Sequence, residues 1–157
     1  MAKRSAGILL YRRCGGAFEV FLVHPGGPLW KKKDLGAWSI PKGEYSHDEE
    51  ALAAAKREFQ EETGFALGPG TLEPLSHVKL ASGKIVAAWA LEGDCDASAI
   101  KSNSFSLEWP PRSRRMQQFP EVDRAEWFTL PVAHTKIHPA QRDFLSRLVE
   151  LLKARSA

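Results

Sequence analysis

The sequence predicts a single mixed α/β domain over residues 1–157. Three observations point there. Short runs rich in β-branched and aromatic residues recur between Gly and Pro clusters. Two other segments carry apolar residues at helical spacing. Hydrophobic residues make up 43% and charged residues 26% of the chain, a balance that supports a packed core.

Taken in order, Ala6 to Tyr11 reads as a strand, Cys14-Gly-Gly-Ala17 as a turn, and Phe18 to His24 as a second strand. Pro25-Gly-Gly-Pro28 breaks it. Trp30-Lys-Lys-Lys-Asp-Leu-Gly36 is a basic loop, a charge run that a solvated surface explains. Trp38 to Ile40 is a short strand running into Pro41-Lys-Gly43. A helix follows, then a loop at Gly68-Pro-Gly70. Leu72 to Leu80 and Lys84 to Leu91 are two strands around Ala81-Ser-Gly83. Gly93 to Arg115 is polar and irregular, with no assigned element. Val122 to Phe128 reads as a last strand. His138 to Ala154 reads as a closing helix, with Phe144, Leu145, Leu148, Leu151 and Leu152 at helical spacing. There are no repeats and no low-complexity tracts.

The formal net charge of +3 favours anionic ligands without demanding nucleic acid. Cys14 and Cys95 give neither a disulfide framework nor a zinc signature, which fits a reduced, cytoplasmic protein. The apolar run near the N-terminus ends at Tyr11-Arg-Arg and is too short for a signal-peptide core. The run Ile85 to Leu91 is too short to span a membrane. His24, His47, His77, His134 and His138 show no metal-like spacing.

The central helix, in GEYSHDEEALAAAKREFQEETGF, carries the chemistry. Ser46-x-x-Glu49 matches a capping box, and Asp48, Glu49 and Glu50 suit the positive end of a helix. Gly64 is a natural stop. The expected helix is about 17 residues, roughly 25 Å long. Leu52, Ala55 and Phe59 share one stripe, assigned to the core. Glu58, Glu61 and Glu62 form a neighbouring stripe, with Ala51 and Ala54 leaving open space on that side. Like charges at these spacings cost roughly 0.2–0.5 kcal/mol per pair, and acids in a last turn oppose the dipole. Arg57 relieves part of this by pairing with Glu61 at i+4. A solvated acidic face accounts for the pattern. So does a bound divalent cation, because clustered carboxylate oxygens are hard ligands suited to Mg²⁺ or Mn²⁺.

In full the segment reads Gly43-x5-Glu49-x7-Arg57-Glu58-Phe59-x-Glu61-Glu62-x-Gly64-Phe65. It resembles the Nudix box of the MutT-like hydrolases at every specified position, with Phe59 where a smaller aliphatic is more usual. The resemblance implies a Nudix α/β/α sandwich, a mixed sheet between helices with the box as loop–helix–loop. It implies hydrolysis of a pyrophosphate bond in a nucleoside diphosphate derivative, by metal-assisted attack of water on phosphorus. On this sequence Glu58, Glu61 and Glu62 would ligate Mg²⁺, or Mn²⁺ in its place, with the Gly43 carbonyl completing the site. Arg57 would hold the carboxylates and Glu49 would support them. The general base would be Glu58 or a downstream glutamate, Glu121 first and Glu108 second.

Lys42 is a candidate phosphate partner, and so is Arg112 in the basic cluster with Arg114 and Arg115. For each, solvated charge is the plain alternative. Trp38 and Trp89 have the shape to stack on a base, although strand tryptophans usually belong to the core. The lead-in Trp38-Ser-Ile-Pro-Lys-Gly43 resembles that of relatives acting on dinucleoside polyphosphates or nucleoside triphosphates. A tyrosine downstream of the box, common in the former, is missing. A small-molecule nucleotide is therefore the expected partner. An ADP-ribose or nucleotide-sugar substrate, an RNA 5′ end, and a non-catalytic nucleotide sensor are the alternatives. Oligomeric state is not legible.

Overall fold

The computed structural model describes residues 3–156. Met1, Ala2 and Ala157, which belong to the single-domain expectation and partly to the N-terminal reading, lie outside the described residues.

Strand β1 (Arg4–Cys14) organises the molecule. Its sequence Ala6 to Tyr11 is a continuous apolar run, as expected of a strand buried on both faces. It turns through Gly15 and Gly16 into β2 (Ala17–Pro25), with Tyr11 opposite Val20 and Cys14 opposite Ala17. The lower half of the same edge pairs antiparallel with β3 (Lys42–Glu44), Ala6 opposite Gly43. The other edge pairs parallel with β5 (Ile85–Glu92), which β4 (Glu73–Lys79) flanks. β8 (Val122–Thr129) closes the far side against β2. The order is β4-β5-β1-β2-β8, with β3 added to β1.

Alternation along β1 divides the core. Leu9 and Tyr11 face a cluster with Trp38, Phe144, Leu145 and Leu148. Ile8 and Leu10 face a second cluster with Phe21, Ala54, Ala55 and Phe59. The first is roofed by α2 (Leu130–Lys136) and α3 (Arg142–Ser156), the second by α1 (Ala51–Thr63). This is an α/β/α sandwich around a mixed sheet, as the resemblance implies. Each fully buried side chain of this size contributes about 1.5–3 kcal/mol.

Several expectations need correction. α1 is 13 residues long and starts at Ala51, with Glu50 as N-cap and no side-chain cap. The capping box does not form. Ser46 to Glu49 is instead a turn, the Glu49 N–H donating to the Ser46 carbonyl at 3.0 Å. The Glu49 carboxylate has a stronger partner in Arg57, since hydrogen bonds between charged groups exceed a neutral cap in strength. Asp48, Glu49 and Glu50 therefore lie outside the first turn. The C-terminal stop is as expected: Gly64 adopts φ 80°, and its N–H donates to Gln60 O at 2.8 Å.

On the core stripe Ala55 and Phe59 are buried, while Leu52 is only half-buried. Ala54 does not border open space. It is fully buried, because its small side chain lets α1 pack closely on β1. The stretch Trp38 to Ile40 makes only isolated bridges, Ser39 to Val23 and Trp38 to Ile137. The irregular segment contains a 3₁₀ turn (Ala97–Ala99) and β6 (Ser104–Glu108). β6 pairs with β7 (Met116–Pro120) as a separate two-stranded sheet, Phe105 opposite Phe119. α2 was not predicted, being too short at seven residues to show a period. The closing helix starts at Arg142, after a 3₁₀ turn (Pro139–Gln141) capped by His138. No helix among the described residues is long and apolar enough to cross a membrane.

The two cysteines sit in different surroundings. Cys14 is exposed at the end of β1. Cys95 is half-buried, its carbonyl accepting from Trp127 Nε1 at 3.0 Å. Burial, with the Asp94 charge beside it, pushes its thiol up to about 11. At pH 8 its thiolate fraction is therefore on the order of 10⁻³. Titration of the native protein with a thiol reagent at pH 8 should show one fast thiol, Cys14. The second should react only slowly until the chain is unfolded.

Candidate active site

The site forms where β3 crosses α1. Gly43 lies directly against the Glu58 carboxylate: a Cβ at residue 43 would stand 2.0 Å from the Glu58 carboxylate carbon and Oε2. Only a residue without a side chain permits this approach. Glu58 is consequently buried. The next residue along β3 adds a second tie, the Lys42 N–H donating to Glu62 Oε1 at 3.1 Å.

Arg57 holds the other side of the cluster. Its Nε and Nη2 donate to the two oxygens of Glu49, both at 2.9 Å. Its Nη1 donates to Glu58 Oε1 at 2.7 Å and to Glu61 Oε2 at 3.0 Å. One guanidinium thus restrains three carboxylates, a task suited to its planar fork.

Glu121 arrives from another direction. It precedes β8, and its N–H donates to the Asn103 carbonyl at 2.8 Å while the Asn103 N–H donates to Glu61 O at 2.9 Å. That relay ties Glu121 to the end of α1. The charges respond to the crowding. Burial, followed by repulsion from Glu61, raises the proton affinity of Glu121. Burial raises that of Glu58 against the pull of Arg57, with Glu61 and Glu121 adding to it. Burial also raises that of Glu62, Lys42 opposing and Glu58 and Glu121 adding. Lys42 is lowered by its own burial and by Lys84. Glu49 is lowered by its hydrogen bonds from Arg57.

A divalent cation fits this donor set. The ligands are hard carboxylate oxygens whose mutual repulsion a cation would relieve. Glu58 Oε2, Glu61 Oε1 and Glu62 Oε2 accept no hydrogen bond from the described residues. No three His, Cys, Asp or Glu side chains among the described residues are already set at metal-binding spacing. The cluster shown is the Arg57-clamped arrangement.

Beside the carboxylates lies a cavity of about 200 Å³. Its lining combines the charged Lys42, Glu62 and Glu121 with the apolar Trp30, Leu80 and Val122. Ser39, His138 and Gln141 complete it. The loop carrying Trp30 is fastened by buried His24. Its Nδ1 is hydrogen-bonded to Asp123 Oδ1 at 2.9 Å and its Nε2 to the Lys33 carbonyl at 2.6 Å. Trp30 stands at the rim with Lys33 Nζ 4.9 Å from its ring centroid.

Not every candidate from the sequence reaches this place. Arg112 sits in the exposed turn between β6 and β7 at φ 63°, its N–H donating to the Glu108 carboxylate at 3.1 Å. Glu108 is thus engaged within the hairpin. Arg114 and Arg115 are exposed there too. Trp38 is buried in the opposite cluster, edge-on to Phe128 at 5.0 Å, and offers no face to a ligand. Trp89 packs half-buried on the α1 side. Conversely, the cavity uses Trp30, Ser39, His138 and Gln141, which sequence reasoning did not select. Trp30 carried a signal, an aromatic before three lysines. Gln141 carried none, because it meets Ser39 only through the fold.

A model of the NUDIX domain matches residues 1–148. The chain belongs to the Nudix family. Solved structures share the fold over nearly the whole chain. An Ap4A hydrolase binary complex from C. elegans is 22% identical, with 98% of this chain and 99% of that one covered and a TM-score of 0.69. The MutT protein of Methanosarcina mazei Go1 is 22% identical, with 97% and 96% covered and a TM-score of 0.60. The NUDIX domain of Shewanella oneidensis NrtR, complexed with ADP ribose, is 17% identical, with 97% and 89% covered and a TM-score of 0.65.

The Gly43–Glu58 contact of this Nudix chain is testable by itself. Gly43→Ala should cost about 1–3 kcal/mol of stability, the usual range for overpacking. Urea denaturation of the two proteins measures it; an unchanged midpoint would contradict the contact.

Proposed function

We propose that the chain hydrolyses a pyrophosphate bond of a nucleoside triphosphate or dinucleoside polyphosphate, in the cytoplasm, with Mg²⁺ as metal and Mn²⁺ as a substitute. The observation that carries this reading is the clustering of Glu58 and Glu61 with Glu62 and Glu121, the last two lining a cavity that also presents Lys42. Glu58, Glu61 and Glu62, with the Gly43 carbonyl, are the residues to hold the metal. When bound, the metal neutralises phosphate charge and makes water a stronger nucleophile.

The chain's own groups do the rest. Arg57 and Glu49 keep the carboxylates aimed, and Gly64 ends α1 so that Glu61 and Glu62 lie in its last turn. Lys42 offers its ammonium to a phosphate oxygen. Glu121 takes the proton of the attacking water: burial and Glu61 raise its proton affinity, and no described residue donates a hydrogen bond to its carboxylate. Glu58 is the alternative, but Arg57 occupies one of its oxygens. Trp30 is the stacking surface for a base at the rim. Arg112 contributes only with a substrate extended along β6 and β7, as a dinucleoside polyphosphate is. The ADP ribose bound by the NrtR domain keeps a nucleotide-sugar substrate as second reading.

The test is a substrate panel with Mg²⁺ or Mn²⁺, products separated by ion exchange, beside a Glu61→Gln control. It should show metal-dependent cleavage of a triphosphate or diadenosine polyphosphate that the control loses. Cleavage confined to ADP-ribose would replace the leading reading with the second. Arg57→Lys should lower activity by about 10–100-fold, the usual cost of losing an orienting partner behind metal ligands. Trp30→Ala should raise KM by roughly 5–150-fold with kcat little changed, equivalent to about 1–3 kcal/mol of stacking. Steady-state kinetics on the best substrate checks both.

A further inference from the structure

The polar wall of the cavity has a fixed hydrogen-bond polarity. Gln141 is buried, and its amide can be oriented in only one way. Oε1 accepts from the Ile40 N–H at 3.1 Å, which fixes the other terminal atom as nitrogen. Nε2 gives one proton to Ser39 Oγ at 3.0 Å. Its second proton has no partner among the described residues. Ser39 spends its own proton on the Ile40 carbonyl at 2.7 Å, which outcompetes the 3.4 Å approach to Gln141 Oε1.

His138 is fixed as well. Its Nδ1 accepts from the Ala140 N–H at 3.1 Å, so the proton of the neutral ring sits on Nε2. Burial and nearby Lys42 favour that neutral ring. No described residue accepts from Nε2. The unspent N–H groups on this wall are those of Gln141 and His138, beside one remaining lone pair on Ser39 Oγ, which already accepts once and donates once. The carboxylates that line the cavity are Glu121 and Glu62, the latter held by the Lys42 N–H, and in the reading above they serve the metal and the phosphates. At about 200 Å³ the space is below the roughly 300–1,000 Å³ of a whole-ligand pocket. It has room for one base, and Glu58 and Glu61, outside its lining, leave the phosphates beyond it.

We infer that Gln141 and His138 make this pocket selective for nucleobases with an oxo group where others carry an amino group. Guanine, hypoxanthine and uracil present carbonyl acceptors to such a wall. Adenine and cytosine present an N–H₂ donor at the equivalent position, and a donor facing the buried Gln141 N–H leaves both groups unpaired. Buried polar groups left unpaired are what make such discrimination large. The inference rests on the reading that the cavity takes the base of a nucleotide substrate.

The decisive comparison uses minimal pairs on the unmodified protein. kcat/KM is measured for ITP against ATP and for UTP against CTP. Dissociation constants of the non-hydrolysable products IMP and AMP are measured by calorimetry. The oxo member should be preferred by about 5–150-fold in each pair, the range one good base contact supplies. Gln141→Glu replaces the free donor by an acceptor of the same shape and should narrow or reverse the ITP preference. Should that variant not fold, His138→Ala, at an exposed position, should reduce the preference instead. Equal cleavage of ITP and ATP overturns the inference and leaves the hydrolase reading standing. Absence of cleavage with IMP still bound more tightly than AMP upholds the inference and overturns the nucleotide-hydrolase reading. Neither cleavage nor binding of any nucleotide overturns both.

Discussion

Four carboxylates gathered at one place must repel, and the molecule is arranged around that constraint. Arg57 is the main internal counter-charge, gripping Glu49, Glu58 and Glu61 at once. It does not remove the strain. Glu58, Glu62 and Glu121 all hold protons more tightly than free carboxylates, burial being the first cause for each. The acids are pinned by main-chain geometry that side-chain motion alone cannot relax. β3 lies flat against Glu58, the Lys42 amide holds Glu62, and Asn103 links α1 to Glu121. Such a site spends fold stability to keep charge concentrated, which makes sense only where a ligand returns it.

Much of this was legible in the sequence, and for a physical reason. Gly43, Glu49, Arg57, Glu58, Glu61 and Glu62 act over short spans along one turn–helix unit, so their spacing is their geometry. The strands β1, β2, β4, β5 and β8 announced themselves through apolar runs between Gly and Pro breaks. Local competition was harder to see. Ser46 and Glu49 have the letters of a capping box, yet the guanidinium at Arg57 outbids the helix end for the Glu49 carboxylate. Ala54 sits on the side of the acids in a helical projection, yet β1 comes close enough to bury it.

The cavity was the least legible part. Its walls come from a loop, a bridge segment, the start of β8 and a 3₁₀ turn, which meet only in three dimensions. Ser39 and Gln141 are bonded across more than half the chain. Trp38, the tryptophan nearest the box in sequence, became core, because it fills the space between His24 and Phe128. Trp30 took the rim instead, carried by a loop that His24 fastens from beneath. Periodicity and spacing report which face is buried, but not which loop closes over it.

The hairpin of β6 and β7 stands apart from the main sheet and pairs only with itself. Its attachment is confined to its base, where Asn103 meets Glu61 and Glu121, and where Phe105 sits beneath Gly27. Structurally it is a cassette on a fixed socket. The socket keeps the acids in register, while the exposed tip with Arg112 is free to change length and charge without disturbing them. Evolution or a protein engineer working on this chain has a place to graft new recognition at the edge of the carboxylate cluster without rebuilding that cluster.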